Sequence, residues 1–221
     1  MALFICPTPI GNLKDITLRV LDVLKSVDGI LAEDTRKTRI ILNKYSIKTP
    51  LISFHSYTRE NKFEGIVEEL LRGRNFALVS NAGTPGISDP GFKLIKMCID
   101  RGVPLEVLPG ATSFLPALLL SGFPPDHFIF YGFLPRKKGK RIKIIQSFKD
   151  FQGPVIYFES PYRVKELLGE LIEGIGDRYV AVAREISKIH EEVLRGKASE
   201  VLEIIKDREI KGEVVVIAGS F

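Results

Sequence analysis

The chain has 221 residues, 45% of them apolar and 27% charged, which suits a folded globular protein and excludes a disordered or collagen-like one. Its formal net charge of +5 points mildly toward a polyanionic partner. No stretch approaches the ~18 consecutive apolar residues of a membrane span, and Met1-Ala-Leu-Phe-Ile-Cys6 enters a strand pattern without a basic leader, so a cytoplasmic protein with no membrane partner is expected.

Residues 3–6 read as a first strand. A helix follows over 16–27, then a strand over 29–33, a helix through 40–45, a strand at 51–54 and a helix near 59–72. The run Phe76-Ala-Leu-Val-Ser80 is a buried-strand pattern. It leads into Asn81-Ala-Gly-Thr-Pro-Gly-Ile-Ser-Asp-Pro-Gly91, a glycine- and proline-rich turn where main chain can approach a small molecule without side chains in the way. Such a turn at the carboxyl end of a strand is either a ligand loop or a long structural connection. It matches neither the dinucleotide fingerprint nor a Walker A loop. Asp89 can cap a helix running to about residue 101, and a strand over 103–108 ends at Pro109-Gly110. Strands separated by helices of this length imply βαβ units and a mostly parallel sheet.

After a helical stretch over 112–120, Gly122-Phe-Pro-Pro-Asp126 reads as a boundary or hinge. Strand patterns at 128–131, 155–158, 179–184, 191–195 and 214–217 are then interrupted by helical ones near 140–148, 163–172 and 198–206. The short connection between 179–184 and 191–195 suggests an antiparallel hairpin, so this half is expected to be mixed α/β. Gly174-Ile-Gly176 reads as a helix stop. We divide the chain into domains 1–112 and 113–221, with a cofactor cleft between them.

Between Asp126 and Asp150 there is no acidic residue, while Arg136, Lys137, Lys138, Lys140, Arg141, Lys143 and Lys149 crowd into the second half of that interval. This is either a solvated helix start or a surface that contacts a phosphate backbone, and the lack of any carboxylate favours the second. Phe128, Phe130, Tyr131 and Phe133 have the spacing of a half-buried strand. Cys6 and Cys98 lie in apolar surroundings and read as core residues, and His55, His127 and His190 form no ligand pattern, so no metal is expected.

Six blocks occur in a fixed order: Cys6-Pro-Thr-Pro-Ile-Gly-Asn-Leu-Lys-Asp-Ile-Thr17, Ala32-Glu-Asp-Thr-Arg36, the 81–91 turn, Leu108-Pro-Gly-Ala-Thr-Ser113, Phe158-Glu-Ser-Pro-Tyr-Arg163 and Ala183-Arg-Glu-Ile-Ser-Lys188. In these blocks the chain resembles the ribosomal RNA small subunit methyltransferase I family, within the tetrapyrrole methylase superfamily. The resemblance implies a two-domain α/β tetrapyrrole methylase-like fold and a homodimer. It implies S-adenosylmethionine as cofactor and 2′-O-methylation of a cytidine ribose in small-subunit rRNA, free or assembled. It places cofactor contacts at Pro9, Gly11, Gly83, Thr84, Pro85, Ile87, Thr112, Ser113, Ala183 and Glu213. Longer family members carry a C-terminal extension absent from this sequence.

A ribose hydroxyl is a poor acid, so methyl transfer calls for a proton acceptor, with Asp34, Glu159 and Glu185 at expected strand ends as candidates. Arg36, Arg163, Arg184 and Lys188 are candidates for electrostatic help. Each has a structural alternative: Asp34 as a helix cap, Glu159 as a partner of a helix dipole, Arg184, Glu185 and Lys188 as ion pairs of a hairpin. Two other functions fit the same residues, a small-molecule methyltransferase of this fold and a noncatalytic RNA-binding module.

Overall fold

A computed structural model describes residues 1–54, 60–89 and 91–219. His55, Arg59 and Pro90 lie outside the described residues. The chain forms two compact units, Met1–Thr112 and Ser113–Phe221.

In the first unit the strands β1 (Leu3–Ile5), β2 (Gly29–Ala32), β3 (Leu51–Ser53), β4 (Phe76–Val79) and β5 (Leu105–Val107) form a sheet of order β3-β2-β4-β1-β5. Every pairing in it is parallel. Helices α1 (Leu18–Ser26), α2 (Thr35–Lys44), α3 (Glu60–Leu71) and α4 (Gly91–Asp100) connect the strands. Because successive strand side chains point to opposite faces, each strand feeds two cores. Ile30, Ala32, Ala77 and Val79 pack with Val20, Leu21 and Leu24 of α1 and Ile41 and Leu42 of α2. Leu3, Ile5, Leu31, Phe76 and Leu78 pack with Phe63, Val67 and Leu70 of α3 and Leu94 and Cys98 of α4. Burial on both faces explains why these strands read as continuous apolar runs. Cys6 and Cys98 are free thiols inside the two cores, and burial, with a smaller push from the Glu106 charge, raises the Cys6 thiol to about 12.

The second unit opens with α5 (Phe114–Ser121). Strands β6 (Ile129–Phe133), β7 (Val155–Glu159), β8 (Tyr179–Arg184), β9 (Glu192–Lys197) and β10 (Val214–Gly219) form a sheet of order β6-β7-β10-β8-β9. Only β6 and β7 pair in parallel; the rest is antiparallel, including the β8–β9 hairpin. Helices α6 (Lys138–Ser147), α7 (Val164–Ile175) and α8 (Ala198–Ile205) cover one face. There Val155, Tyr157, Val180, Val182, Val214 and Val216 meet Ile145, Leu167, Leu168, Leu171, Val201 and Ile205. α7 stops at Ile175 with Gly176 as its cap, as the glycine spacing implies.

Two expectations change in detail. The first sheet is wholly parallel. The Gly122–Asp126 punctuation is an internal turn of the second unit, because α5 packs on β8, β9 and β10 of that unit's sheet. Among the described residues no helix is long and apolar enough to cross a membrane.

Candidate functional site

The motif blocks of the first unit leave one edge of its sheet, since all its strands are parallel and each block follows a strand's carboxyl end. β1 and β4 are neighbours, yet β1 leads to α1 on one face and β4 to α4 on the other. Neighbouring connections that part toward opposite faces open a crevice at the strand ends, where open α/β sheets take ligands.

The loops at this crevice are tied to each other. Thr8 and Gly83 exchange backbone hydrogen bonds, each at 2.9 Å. The Thr8 hydroxyl donates to the Ser80 carbonyl at 3.1 Å, and the Ser80 hydroxyl to the Gly83 carbonyl at 3.0 Å. Thr84 donates its hydroxyl to the Ala111 carbonyl at 3.3 Å, joining the loops after β4 and β5. A Cβ on Gly110 would sit 2.5 Å from the Pro7 ring, so only glycine lets the loops after β1 and β5 come this close. Asp89 accepts from the amides of Gly86 and Gly91, both at 2.7 Å, and so closes the glycine turn onto the start of α4. Burial raises its carboxyl, against the pull of those two amides.

Pro9, Gly83 and Pro85 are buried in these loops, Thr84, Thr112 and Ser113 are half-buried, and Gly11 and Ile87 are exposed. Asn81 Oδ1 is buried and has no hydrogen-bond partner among the described residues. An unsatisfied buried acceptor costs about 1–3 kcal/mol, and a polar ligand bound in the turn would offset that cost. The residues present therefore fit a polar small molecule held largely by main chain.

Beside this crevice Asp34 caps α2, its Oδ1 accepting the Arg36 amide at 2.9 Å. The same carboxylate accepts from Arg36 Nε at 3.1 Å and Nη2 at 3.0 Å. These hydrogen bonds draw its carboxyl down to about 2, which makes Asp34 a weak proton acceptor. Arg36 itself projects into solvent.

The second sheet also gathers its blocks at one end. Phe133 pairs with Phe158, Glu159 with Val214, Val214 with Arg184, and Arg184 with Glu192. The basic segment after β6, the turn after β7, the turn after β8 and Glu213 before β10 therefore share that end. In the turn after β8, Glu185 and Ser187 have positive φ, 52° and 66°. Glu185 Oε1 accepts from Lys188 Nζ at 2.7 Å and from the Glu213 amide at 2.9 Å, and Lys188 also reaches Glu213 Oε2 at 3.0 Å. Partial burial pushes the Glu185 carboxyl up, but Lys188 and the Glu213 amide outweigh it, and the group lies below the usual range. Lys188 is affected in reverse: burial pulls it down, the two carboxylates overcome that, and its value is raised, so it is a fixed cation. Arg184 binds Glu192 at 2.7 Å and Ala183 is buried in β8.

Two expected site residues are structural. Glu159 has a fully buried carboxylate, 2.7 Å from Arg163 and 3.2 Å from Arg141, and it accepts the Ser160 amide at 2.7 Å. A carboxylate held by two guanidinium groups away from solvent cannot reach a ribose hydroxyl, so Glu159 is not the base. Arg141 does not belong to the RNA-facing cluster. Its side chain is 2% exposed and lies 2.6 Å from Glu170 as well as against Glu159. In the sequence its burial was signalled only by the i, i+4, i+7 spacing with Ile145 and Phe148. Arg136, Lys137, Lys140 and Lys143 are exposed with no ion pair among the described residues, while Lys138 pairs with Glu173 at 3.2 Å.

Residues 2–202 match the family model described as Tetrapyrrole (Corrin/Porphyrin) Methylases. Three solved structures share the fold. Diphthine synthase superposes with a TM-score of 0.78 at 13% identity, over 100% of this chain and 90% of that one. Cobalt precorrin-4 methyltransferase gives 0.72 at 18%, over 99% and 94%. Uroporphyrin-III C-methyltransferase from Thermus thermophilus, complexed with S-adenyl homocysteine, gives 0.67 at 18%, over 99% and 97%. Fold and family model together define the class, a tetrapyrrole methylase. Ribosomal RNA small subunit methyltransferase I of Bacillus subtilis is 47% identical over 99% of this chain and 75% of its own length. The protein of that name from Thermotoga maritima is 45% identical over 97% of this chain and 96% of its own. The chain belongs to the ribosomal RNA small subunit methyltransferase I family.

Proposed function

We propose that this protein transfers the methyl group of S-adenosylmethionine to the ribose 2′-hydroxyl of a cytidine in small-subunit rRNA. The observation that carries the reading is 47% identity to a protein named for small-subunit rRNA methylation, over 99% of this chain. The exposed cations Arg136, Lys137, Lys138, Lys140 and Lys143 at one end of the second sheet support a polyanionic substrate over a small one. Action in the cytoplasm and assembly as a homodimer are parts of the same reading.

S-adenosylmethionine, when bound, supplies an electrophilic methyl group on a sulfonium. The loops after β1, β4 and β5 would hold it, with Pro9, Gly11, Gly83, Thr84, Pro85, Ile87, Thr112 and Ser113 as contacts and Asn81 Oδ1 taking a polar hydrogen; Ala183 and Glu213 are further contacts that the family resemblance implies. Tied loops keep these contacts in place, so alignment supplies a large part of the rate. Lys188 stays protonated between its two carboxylates and can stabilise negative charge developing on the acceptor oxygen, with Arg36, Arg163 and Arg184 as further cations. Of the carboxylates, Asp34 and Glu185 remain as candidates for the proton, each a weak acceptor because its partners hold it below the usual range. Both stay ionised throughout the neutral range.

The test is transfer of labelled methyl to small ribosomal subunits from a strain lacking the modification, followed by mapping of the labelled atom. Label on a single ribose 2′-oxygen is the expected result. Label on a base, or none with cofactor binding intact, would refute the assignment.

A further inference from the structure

Tyr162 is 85% exposed, an unusual position for a large ring that folding leaves without burial. The backbone that carries it is nevertheless held firmly. It lies in a 3-10 turn, Pro161–Arg163, directly after β7. The Arg163 amide donates to the Ser160 carbonyl at 2.9 Å, and the Ser160 amide to Glu159 Oε1 at 2.7 Å. Arg163 clamps the same carboxylate at 2.7 Å, and buried Arg141 holds its other oxygen at 3.2 Å. Residues on both sides of Tyr162 are thus fixed to a charge network inside the fold, while the ring faces solvent.

That network also sets what lies around the ring. Arg141 belongs to α6, so the contact that pins the turn also pins the basic helix beside it. β6 runs parallel to β7 in register Phe133 to Phe158, and the segment with Arg136, Lys137 and Lys140 leaves the sheet at the same end as the tyrosine turn. Phe133, 53% exposed, marks the last position of that neighbouring strand. An exposed aromatic on a pinned turn, at the same sheet end as cations that have no ion pair among the described residues, has the chemistry of a single-stranded nucleic-acid site: the cations take the phosphates and the ring takes a base face.

We propose that Tyr162 stacks on an unpaired nucleobase of the rRNA segment that is methylated, as a substrate-positioning contact. This rests on the rRNA reading above. Because the turn is pre-ordered by Glu159, Arg141 and Arg163, stacking costs little additional ordering. It sets the register of the strand relative to the reacting ribose without reading a particular base.

Two measurements test it. In the first, methyl transfer to unmodified small subunits is followed for wild type, Tyr162→Ala and Tyr162→Phe, with KM and kcat separated. The alanine variant is expected to raise KM about tenfold, with its melting temperature and cofactor affinity as in wild type, and the phenylalanine variant to restore KM. In the second, a single-stranded RNA oligonucleotide carrying 2-aminopurine is titrated, and wild type but not Tyr162→Ala should quench it. An unchanged KM in Tyr162→Ala, beside an active wild type, overturns the stacking role and leaves the reaction standing. Wild type that methylates no subunit overturns the reaction. The oligonucleotide then decides Tyr162 by itself, and equal or absent quenching by wild type and Tyr162→Ala removes the proposal.

Discussion

At the head of α2 the Asp34 carboxylate accepts both a backbone amide and the Arg36 guanidinium. Its folded value of about 2 lies below the ordinary carboxylate range, so the stability it contributes is complete above about pH 4 and is lost as pH falls toward 2. Asparagine at this position keeps the cap and loses the charge. The melting-temperature difference between wild type and Asp34→Asn should hold steady above about pH 5 and shrink between about pH 4 and pH 2. Gly212 offers a second test. Its φ is +89°, and a Cβ there would overlap the Glu185 carboxylate. Gly212→Ala is expected to cost about 1–3 kcal/mol in urea unfolding and to free Lys188 from one partner. Neither Gly212 nor its link to Glu185 was visible in the sequence, because they lie 27 positions apart and only the β8–β10 pairing brings them together.

Helix α6 separates two kinds of cation within one turn. Arg141 faces inward to Glu159 and Glu170, while Lys140 and Lys143 face water. Arg141→Met would take the cation from buried Glu170 and one of the two guanidinium groups from buried Glu159, and should lose about 3–5 kcal/mol. Lys140→Ala should change stability by no more than about 0.5 kcal/mol, while weakening subunit binding and lowering its salt slope by about one charge. Urea unfolding and binding at several salt concentrations would distinguish them. A charge run in a sequence has no inside or outside. The helical face decides, and here the apolar partners Ile145 and Phe148 were the only legible sign.

For the molecule as a whole, the cationic end of the second sheet and the crevice of the first unit are separable in function. Reversing Lys137, Lys140 and Lys143 to glutamate should abolish methyl transfer to small subunits while calorimetric cofactor affinity is preserved. Loss of both would mean that the reversal disturbed the fold. The sequence by itself determined the alternation of strands and helices, the parallel character of the first sheet, the hairpin at residues 179–195 and the family, because periodicity, turn chemistry and motif order are local properties of the chain. The tertiary structure alone decided that Glu159 and Arg141 are a buried pair, that Lys188 is fixed between Glu185 and Glu213, and that Tyr162 is exposed on a pinned turn. Those outcomes depend on strand order and register, which bring together groups far apart in the chain and set whether each charge meets water or a partner.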